Sequence, residues 1–321
     1  MINVQPPAEL GKYGNWFVQL PMPTTKNLYV QILLLREIHD YSIFRTEAGA
    51  ELNTVFVPKS LTNPERVKRV VVLGRKFKAV ERRVGRDLIR SAIPNFEKKC
   101  NIPDRLCLEC PDDWLHGAIS TIRGAERELA LHSRVLYESA FTLREVEDIA
   151  ELVTLNAVSE ITGTTGVSLT SQFMLPPAIY LPNVVTLHSV TWKELLYMLA
   201  SIVRASRYGA RSAVQATVKN HICALIFGEG CAVTSLELTL ALCDSIKDDE
   251  LTKINMSSLL EKVNEYAKMA VEKLWFKAEI VQGGDLTKIL EAEKKTDMKQ
   301  LIVDMYKDVK EAYNALNRIL K

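Results

Sequence analysis

Apolar residues recur along this chain at two spacings, and these spacings predict a mixture of strands and helices. Residues 27–46 are rich in Leu, Ile, Val and Tyr, which favours one long strand or two short ones. Residues 50–58 alternate poorly and are typical of an edge strand or a loop. Residues 68–78 predict a strand, a turn at Gly74 and a basic extension, and residues 79–93 have apolar positions at helical spacing.

The middle of the chain predicts a hairpin followed by strand, helix and strand. Residues 121–152 carry many charges of both signs and are interpreted as helix or irregular structure. Residues 155–177 are rich in Thr and Ser around a Gly-Thr-Thr-Gly turn, which indicates a β-hairpin with few apolar side chains. Residues 183–190 predict a strand, residues 191–209 a helix, and residues 212–230 one or two strands.

Beyond about residue 246 the pattern predicts helices to the end of the chain. Ser258 and Glu261 form an apparent capping box before one helix, and a second helix has an apolar stripe that runs from Leu301 to Ile319. This tail is interpreted as a solvated helical addition and not as a ligand surface. The order of elements before it suits an α+β fold with an antiparallel sheet of the ferredoxin type.

Composition sets broad limits only. The 321 residues have a formal net charge of +2, so bulk charge does not identify a partner. The N-terminus lacks a basic region followed by an apolar run, so we expect no signal peptide and a reducing, cytoplasmic location. The longest apolar runs, such as residues 32–35, are far too short to span a membrane, so we expect no membrane partner.

Local charge is more informative than net charge. Residues 66–90 contain ten basic side chains against Glu81 and Asp87, and residues 195–228 contain four basic side chains and no acid. Tyr208 in the second patch has a ring that could stack on a base. Either patch alone is typical of an ordinary solvated surface. Two such patches flanking one sheet favour an anionic polymer as ligand.

Three of the six cysteines lie within eleven residues of each other. Cys107 and Cys110 form a C-x2-C pair, and Cys100 lies seven residues before Cys107. This spacing predicts a structural Zn²⁺ site, since thiolates in a C-x2-C pair can grip one tetrahedral ion. His116 is the favoured fourth ligand, with Asp113 and, less favoured, His132 as the alternatives. The other interpretation is three unrelated cysteines, because a single C-x2-C pair is only a moderate signal.

Signs of catalysis are weak. The sequence lacks P-loop, nucleophile-elbow and dinucleotide-binding motifs, and it lacks the H-E-x-x-H order of zinc peptidases. Glu109 lies beside the cysteines, so a zinc-dependent hydrolase stays open as an alternative. Cys223, Cys231 and Cys243 lie among apolar residues and are interpreted as core residues.

Several segments, in their order along the chain, resemble a known family. They are YSIFRTEAGAELNT at 41–54, RRVGRDLIR at 82–90, the cysteine cluster with CPDDWLHG, the Thr-rich hairpin, and RASRYGARSAVQATVKNHICALIFGEG at 204–230. Together they resemble the backbone subunit of the type I-D CRISPR surveillance complex, of the RAMP superfamily. The resemblance covers roughly residues 25–245. In that family a fourth cysteine often stands at the position of Asp113, and this departure leaves the fourth ligand open.

The resemblance implies a domain organisation and a function. It implies an RRM-like palm in residues 1–94 and 183–245, a zinc-binding insertion in 95–154, a hairpin thumb in 155–182 and a helical extension in 246–321. Several copies would line up along CRISPR RNA with other subunits, would meet target nucleic acid through the guide, and would not cleave it. The residues predicted to contact RNA are Arg45, Lys68, Arg75, Lys76, Lys78, Arg82, Arg83, Arg86, Phe173, Met174, Arg204, Arg207, Tyr208, Arg211 and Lys219.

Two details stay open at this level. Asp40 lies near the end of the first strand, where it would serve a target-RNA-cleaving nuclease like the type III backbone relatives, although a turn residue is the plainer interpretation. Phe173 and Met174 either wedge against an unstacked base held by a neighbouring subunit or anchor the hairpin to the palm.

Overall fold

The computed structural model describes residues 6–45, 51–119, 130–247 and 249–319. The strands in these ranges are β1 Tyr29–Ile38, β2 Thr54–Pro58, β3 Arg66–Val72, β4 Ala118–Ile119, β5 Ala130–Leu131, β6 Val135–Tyr137, β7 Ala140–Phe141, β8 Glu151–Val158, β9 Thr165–Met174, β10 Tyr180–His188, β11 Val218–Gly228 and β12 Ala278–Val281. The helices are α1 Ala8–Gly11, α2 Gly74–Ala92, α3 Phe96–Lys99, α4 Pro111–His116, α5 Val146–Ile149, α6 Trp192–Arg204, α7 Ser235–Ser245, α8 Met256–Glu272, α9 Gly283–Lys295 and α10 Met298–Ile319.

The first apolar run forms the central strand of the main sheet. That sheet has the order β12-β11-β1-β10-β6, and each neighbouring pair in it is antiparallel. Most of β1 is buried because helices cover both faces of the sheet, which explains why its centre is an unbroken apolar run at 32–35 and not an alternating pattern. The predicted α+β class with antiparallel sheets is therefore confirmed.

Alternate residues of β1 point into two separate cores. Ile32 and Leu34 pack with the buried face of α6, while Leu33 and Leu35 pack with α7 and α8. Helix α2 lies against α6, and Gly85 permits this close approach. A Cβ atom at Gly85 would lie 2.3 Å from the hydroxyl oxygen of Tyr197. Basic helix α2 is thus fixed to the main sheet through α6.

Two predicted elements before the hairpin were wrong. Gly74 does not form a turn, because it is the first residue of α2, which runs without interruption to Ala92. The segment predicted as helix or irregular structure contains β5, β6, β7 and the short α5 in its described part, and residues 120–129 lie outside the described residues. These strands are very short, and such lengths leave almost no periodic signal in a sequence.

The interpretation of the tail as a solvated helical addition was also wrong. β12 pairs with β11 and extends the main sheet. Leu301, Ile302 and Met305 of α10 belong to the same buried core as α6. The predicted capping box is corrected too, because Asn255 is the residue that caps α8 and its side chain accepts from the backbone N–H of Ser258. Across the described ranges, the helices are all too short or too polar to cross a lipid bilayer.

Candidate metal centre and nucleic-acid interface

The cysteine segment folds so that three thiols and one carboxylate converge. Cys100 follows α3, Cys107 lies in the connecting loop, and Cys110 caps the N-terminus of α4, where its sulfur accepts from the Asp113 N–H. One ligand atom from each of these four residues lies within 4.8 Å of the others. Pro111 begins α4 directly after Cys110, so Asp113 lies in the first turn of the helix, close to the Cys110 sulfur.

The spacing of these atoms suits zinc. Tetrahedral Zn²⁺ with Zn–S bonds of about 2.3 Å and Zn–O bonds of about 2.0 Å would separate two sulfurs by about 3.8 Å and a sulfur and an oxygen by about 3.5 Å. The Sγ atoms of Cys100 and Cys110 are 3.9 Å apart. Asp113 Oδ2 lies 3.4 Å from Cys100 Sγ and 3.5 Å from Cys107 Sγ. These three separations therefore match those of a tetrahedral zinc site.

Asp113 replaces His116 as the fourth donor. His116, the ligand favoured from the sequence, is buried at the last position of α4 and does not join the four-atom group, and the exposed His132 does not join it either. Burial lowers the pKa of His116 to about 3, so its imidazole is neutral. Asp113 is favoured because it lies in the first turn of α4, beside the N-cap Cys110, whereas His116 is the last residue of the helix, about 4.5 Å further along its axis.

The burial of the candidate ligands favours a structural metal site over a catalytic one. Cys100, Cys110 and Asp113 are fully buried, and together with Cys107 they offer the four donors that a tetrahedral ion needs. Burial raises the pKa of Asp113 to about 6, with the charges of Cys100 and Asp112 adding to the effect. A cation in the site would hold these donors in their ionised forms.

Replacing each of the two candidate ligands in turn tests whether Asp113 or His116 is the fourth donor. We expect Asp113→Asn to lower zinc affinity by more than about 10-fold, since it removes a charged donor and even outer partners contribute that much. His116→Asn should leave zinc affinity within about 10-fold of the parent, because it alters only a neighbouring group. Zinc content measured by elemental analysis after competition with a chelator checks both. Equal zinc loss in the two variants would contradict the Asp113 assignment.

Three of the predicted RNA-binding cations have hydrogen-bond partners at or beside the candidate metal centre. Arg82 donates to Asp112 Oδ2 over 2.8 Å and to Asp113 Oδ1 over 3.1 Å. Arg86, which is buried, donates to Asp112 Oδ2 and to the Cys100 carbonyl oxygen. Lys78 donates to the His116 carbonyl oxygen, 2.9 Å away. These contacts would orient the ligands of a bound metal. The same three cations also line the second of the two grooves described below, so their contact with RNA stays a prediction.

The sequence analysis missed Asp112, which joins both arginines. Asp112 is fully buried, and its Oδ2 accepts from Arg82 Nε and Arg86 Nη1. The available signal was the pair of arginines four residues apart on α2, since that spacing places both on one helix face opposite the acidic Asp-Asp dipeptide.

Other basic residues line two neighbouring concave surfaces. The first, here called the Arg45 groove, has a volume of about 390 Å³ and is lined by Arg45, Lys76, Arg83 and the loop at Gly209 and Ala210. The second, here called the Arg90 groove, has a volume of about 600 Å³, and its lining includes Arg75, Arg83 and Arg90. Ala79 and Arg83 line both, and neither lining contains an acidic side chain, so the two form one continuous basic surface along α2.

The glycine in the Arg45 groove has a steric role. Gly209 has a φ of +99°, and a Cβ atom there would lie 2.6 Å from the carbonyl oxygen of Ile43. The neighbouring Ala210 pairs with Ile43 as an isolated bridge. A side chain at position 209 would push the loop away from Ile43 and open the groove.

The second basic patch is less uniform than its sequence suggests. Arg204 is bonded to Glu293 of α9 at 2.8 Å, and Arg207 donates to the Gln215 carbonyl oxygen. Arg211 and Lys219 are exposed, and Lys68 on β3 is half-buried. Tyr208 is only 1 % exposed, so its ring cannot stack on a base, and that prediction is corrected.

Tyr208 belongs instead to a buried cluster around Arg36. The Arg36 guanidinium donates to Glu81 Oε1 at 2.6 Å, to Asn220 Oδ1 at 2.8 Å and to Asn183 Oδ1 at 2.9 Å. The Tyr208 hydroxyl donates to the same Glu81 oxygen at 2.9 Å. These partners come from α2, β10, β11 and the loop after α6, so one cation joins four parts of the fold.

The predicted hairpin is present. β8 and β9 pair only with each other among the described residues, and the paired region starts four residues earlier than predicted, at Glu151. Phe173 is 39 % exposed, whereas Met174 is 1 % exposed, so only Phe173 is free to meet a ligand. Met174 anchors the base of the hairpin, next to the bridge between Ser42 and Leu175.

Asp40 has the environment of a turn residue. Its Oδ1 accepts from the backbone N–H of Tyr41 at 2.8 Å, and its carbonyl oxygen accepts from the Ser42 hydroxyl. Both contacts stabilise the bend after β1.

Comparisons with known proteins show what this chain is similar to. A model of the family described as Csc2 Crispr matches residues 16–305. The crystal structure of Thermofilum pendens Csc2 is 19 % identical and has a TM-score of 0.67, with 98 % of this chain and 99 % of that chain covered. A subunit of a structure titled CRISPR RNA-guided surveillance complex is 13 % identical, has a TM-score of 0.51, and is matched over 87 % of this chain and 98 % of that chain. At these identities the structures establish a shared fold. Among curated proteins, no sequence matches this chain significantly.

Proposed function

Since this chain belongs to the Csc2 CRISPR family, we propose that it is a backbone subunit of a type I-D surveillance complex and binds single-stranded CRISPR RNA. Its partners are copies of itself, the other subunits of the complex, and target nucleic acid that pairs with the guide. It acts in the cytoplasm and catalyses no reaction.

The continuous basic surface along α2 is the observation that carries this proposal. Arg45, Arg75, Lys76, Arg83 and Arg90 come from two segments and line the two grooves, whose linings contain no acidic side chain. Arg90 is also paired with the exposed Asp87 at the end of this surface. Guanidinium and ammonium groups in a groove of this kind suit the phosphates of a single strand, and they carry no base code. Exposed Arg211 and Lys219 extend the positive charge beyond the grooves.

The proposed domain plan is the one that the family resemblance implies. An RRM-like palm comprises residues 1–94 and 183–245, with β1, β10 and β11 at its centre. The predicted bounds are 95–154 for a zinc-binding insertion, 155–182 for a thumb and 246–321 for a helical extension. β6 lies within the first range but pairs with β10 in the palm sheet, and the hairpin of the thumb begins at Glu151. The extension is integrated with the palm, since β12 continues the palm sheet and α10 packs into its core.

Zinc in this proposal has a structural role. Cys100, Cys107, Cys110 and Asp113 would hold it, and it would cross-link α3, the following loop and α4. Four protein donors leave no open position for water, which disfavours the zinc hydrolase alternative. Asp40 serves the turn after β1, which removes the reason to favour the target-RNA-cleaving alternative.

Measuring the mass of the complexes that the protein forms on RNAs of increasing length tests the proposal. A backbone subunit should bind in steps, one more copy for each added length of single-stranded RNA, as measured by analytical ultracentrifugation. The RNA should remain intact in the presence of Mg²⁺. Binding of one copy whatever the RNA length would contradict the backbone role. Cleavage that Asp40→Ala abolishes would favour the nuclease instead.

The hairpin offers a separate prediction about assembly. Its exposed apolar side chains, Leu152, Val158, Ile161 and Phe173, have no core of their own, and a two-stranded hairpin is marginally stable alone. Thr154 and Ser171 face each other in the register, so residues 155–170 can be replaced by Asn-Gly without breaking the remaining ladder. We expect this variant to melt at the parent temperature and bind RNA as single copies, without stepwise growth.

A matched control keeps the hairpin and alters its composition. Replacing only the tip residue Ile161, which is 95 % exposed, by serine should preserve assembly if the length of the hairpin matters and weaken assembly if its tip packs on a neighbouring copy. Stepwise growth that is unchanged after the 155–170 replacement would exclude the thumb role.

A further inference from the structure

A second group of metal-binding side chains lies away from the cysteines, on the other face of the main sheet. Leu35 of β1 and its register partner His221 of β11 are on the face covered by α7 and α8, and Glu37 is two residues further along that face. The cysteine cluster packs against the opposite face, with α6. The two groups are therefore separate sites.

Two imidazoles converge on one carboxylate oxygen in this group. His221 Nε2 lies 2.8 Å from Glu37 Oε2, and His39 Nε2 lies 2.9 Å from the same atom. One ligand atom from each of the three residues lies within 4.8 Å of the others. Two nitrogens and one oxygen at such distances can move onto a single small cation with shifts of a few tenths of an ångström, since tetrahedral N···O separations are about 3.3 Å.

The backbone holds the three side chains in this arrangement. Glu37 lies in the central strand and is paired with Tyr180 on one side and Lys219 on the other. The His39 N–H donates to the Thr217 carbonyl oxygen at 2.8 Å, which ties the end of β1 to the start of β11. The Tyr180 hydroxyl donates to Glu37 Oε1 at 3.4 Å, as an outer partner that orients the carboxylate.

Exposure and ligand type define the cation. The side chains of Glu37 and His221 are 19 % and 21 % exposed, and that of His39 is 42 % exposed, so an ion can reach the site and keep a position open to solvent. Two imidazoles and a carboxylate suit divalent first-row transition metals, whereas Mg²⁺ and Ca²⁺ prefer oxygen ligands. We propose that Glu37, His39 and His221 form a second metal site, which binds a divalent transition metal such as Zn²⁺ or Ni²⁺ with water at the open position.

Calorimetric titration of the full chain tests the site. Protein whose cysteine cluster is already loaded with zinc is titrated with Ni²⁺, and we expect about one further ion to bind per chain. His39→Ala and Glu37→Gln should each weaken this event by more than about 10-fold. His39 is exposed, and Glu37→Gln keeps the shape of the side chain, so both variants should fold.

Two controls isolate the cause. His132→Ala removes an exposed histidine outside the group and should leave the titration unchanged. Mg²⁺ in excess should not compete. The proposal is overturned if the parent binds no further Ni²⁺, or if His39→Ala and His132→Ala titrate alike. The result is independent of RNA binding, so it stands or fails separately from the proposed function.

Discussion

Replacing Cys110 with serine is expected to abolish zinc binding and to destabilise the chain strongly. Cys110 is fully buried, caps α4, and lies 3.9 Å from the Cys100 sulfur. A structural zinc contributes on the order of 10 kcal/mol of binding free energy, and that contribution becomes folding free energy when the site exists only in the folded chain. We expect zinc content to fall from about one ion per chain to near zero, and the melting temperature to fall by at least about 10 °C.

Burial of the remaining donors adds to this loss. Without the ion, Cys100, Cys107 and Asp113 stay close together and repel one another unless they take up protons, while Arg82 and Arg86 remain paired with Asp112. Cys231→Ser is the matched control, since Cys231 is exposed and outside the cluster. It should keep both zinc and the melting temperature. Cys110→Ser protein that retains one zinc and melts like the parent would disprove the metal centre.

Reversing three charges in the Arg45 groove should nearly eliminate RNA binding. Arg45→Glu, Lys76→Glu and Arg83→Glu replace the cations that line this surface and add no group to the core. Each charge-assisted phosphate contact contributes on the order of 1 kcal/mol, so affinity should fall by about 100-fold or more. The slope of log affinity against log salt should become shallower by about 2, since three phosphate contacts on a single strand are lost.

The control variant carries the same charge change elsewhere. Lys253, Lys268 and Lys294 are exposed in the region after residue 246, away from both grooves. Their joint replacement by glutamate should lower affinity by less than about 10-fold, through net charge alone. Filter binding at several salt concentrations measures both variants. Equal losses would mean that RNA binding depends on overall charge and not on the groove. The affinity of the groove variant for every RNA sequence tested should fall by the same factor, because phosphate contacts carry no base specificity.

Arg82 and Arg86 show why the basic patch could be predicted but its roles could not. Sequence shows ten cations within residues 66–90, and a helical wheel divides them into faces. It does not show that Asp112 and Asp113, which are 26 to 31 residues away along the chain, lie opposite one of these faces. The exposed cations of α2 keep the predicted role as a proposal, and Lys78, Arg82 and Arg86 also have hydrogen-bond partners at or beside the candidate metal centre.

Long periodic elements could be predicted from the sequence, whereas short elements and those that depend on tertiary contacts could not. α6 and the hairpin follow from apolar spacing and turn residues, and both are confirmed. β12 was missed because Ala278–Val281 is a four-residue strand that depends on its pairing with β11, which a short sequence window does not show. The three thiols of the metal centre followed from the C-x2-C spacing, but the choice of Asp113 over His116 depends on where a six-residue helix begins.

The buried Arg36 cluster has a consequence for the thermodynamics of guide binding. Its hydrogen bonds reach α2, which carries Lys76 and Arg83, and its partner Tyr208 immediately precedes the Gly209 wall of the Arg45 groove. The walls of that groove are thus fixed to one another before any ligand arrives. A preorganised cleft loses little conformational entropy on association, so more of the gross electrostatic attraction remains as net affinity. Arg36 therefore contributes to affinity from the interior, at a position that no phosphate touches.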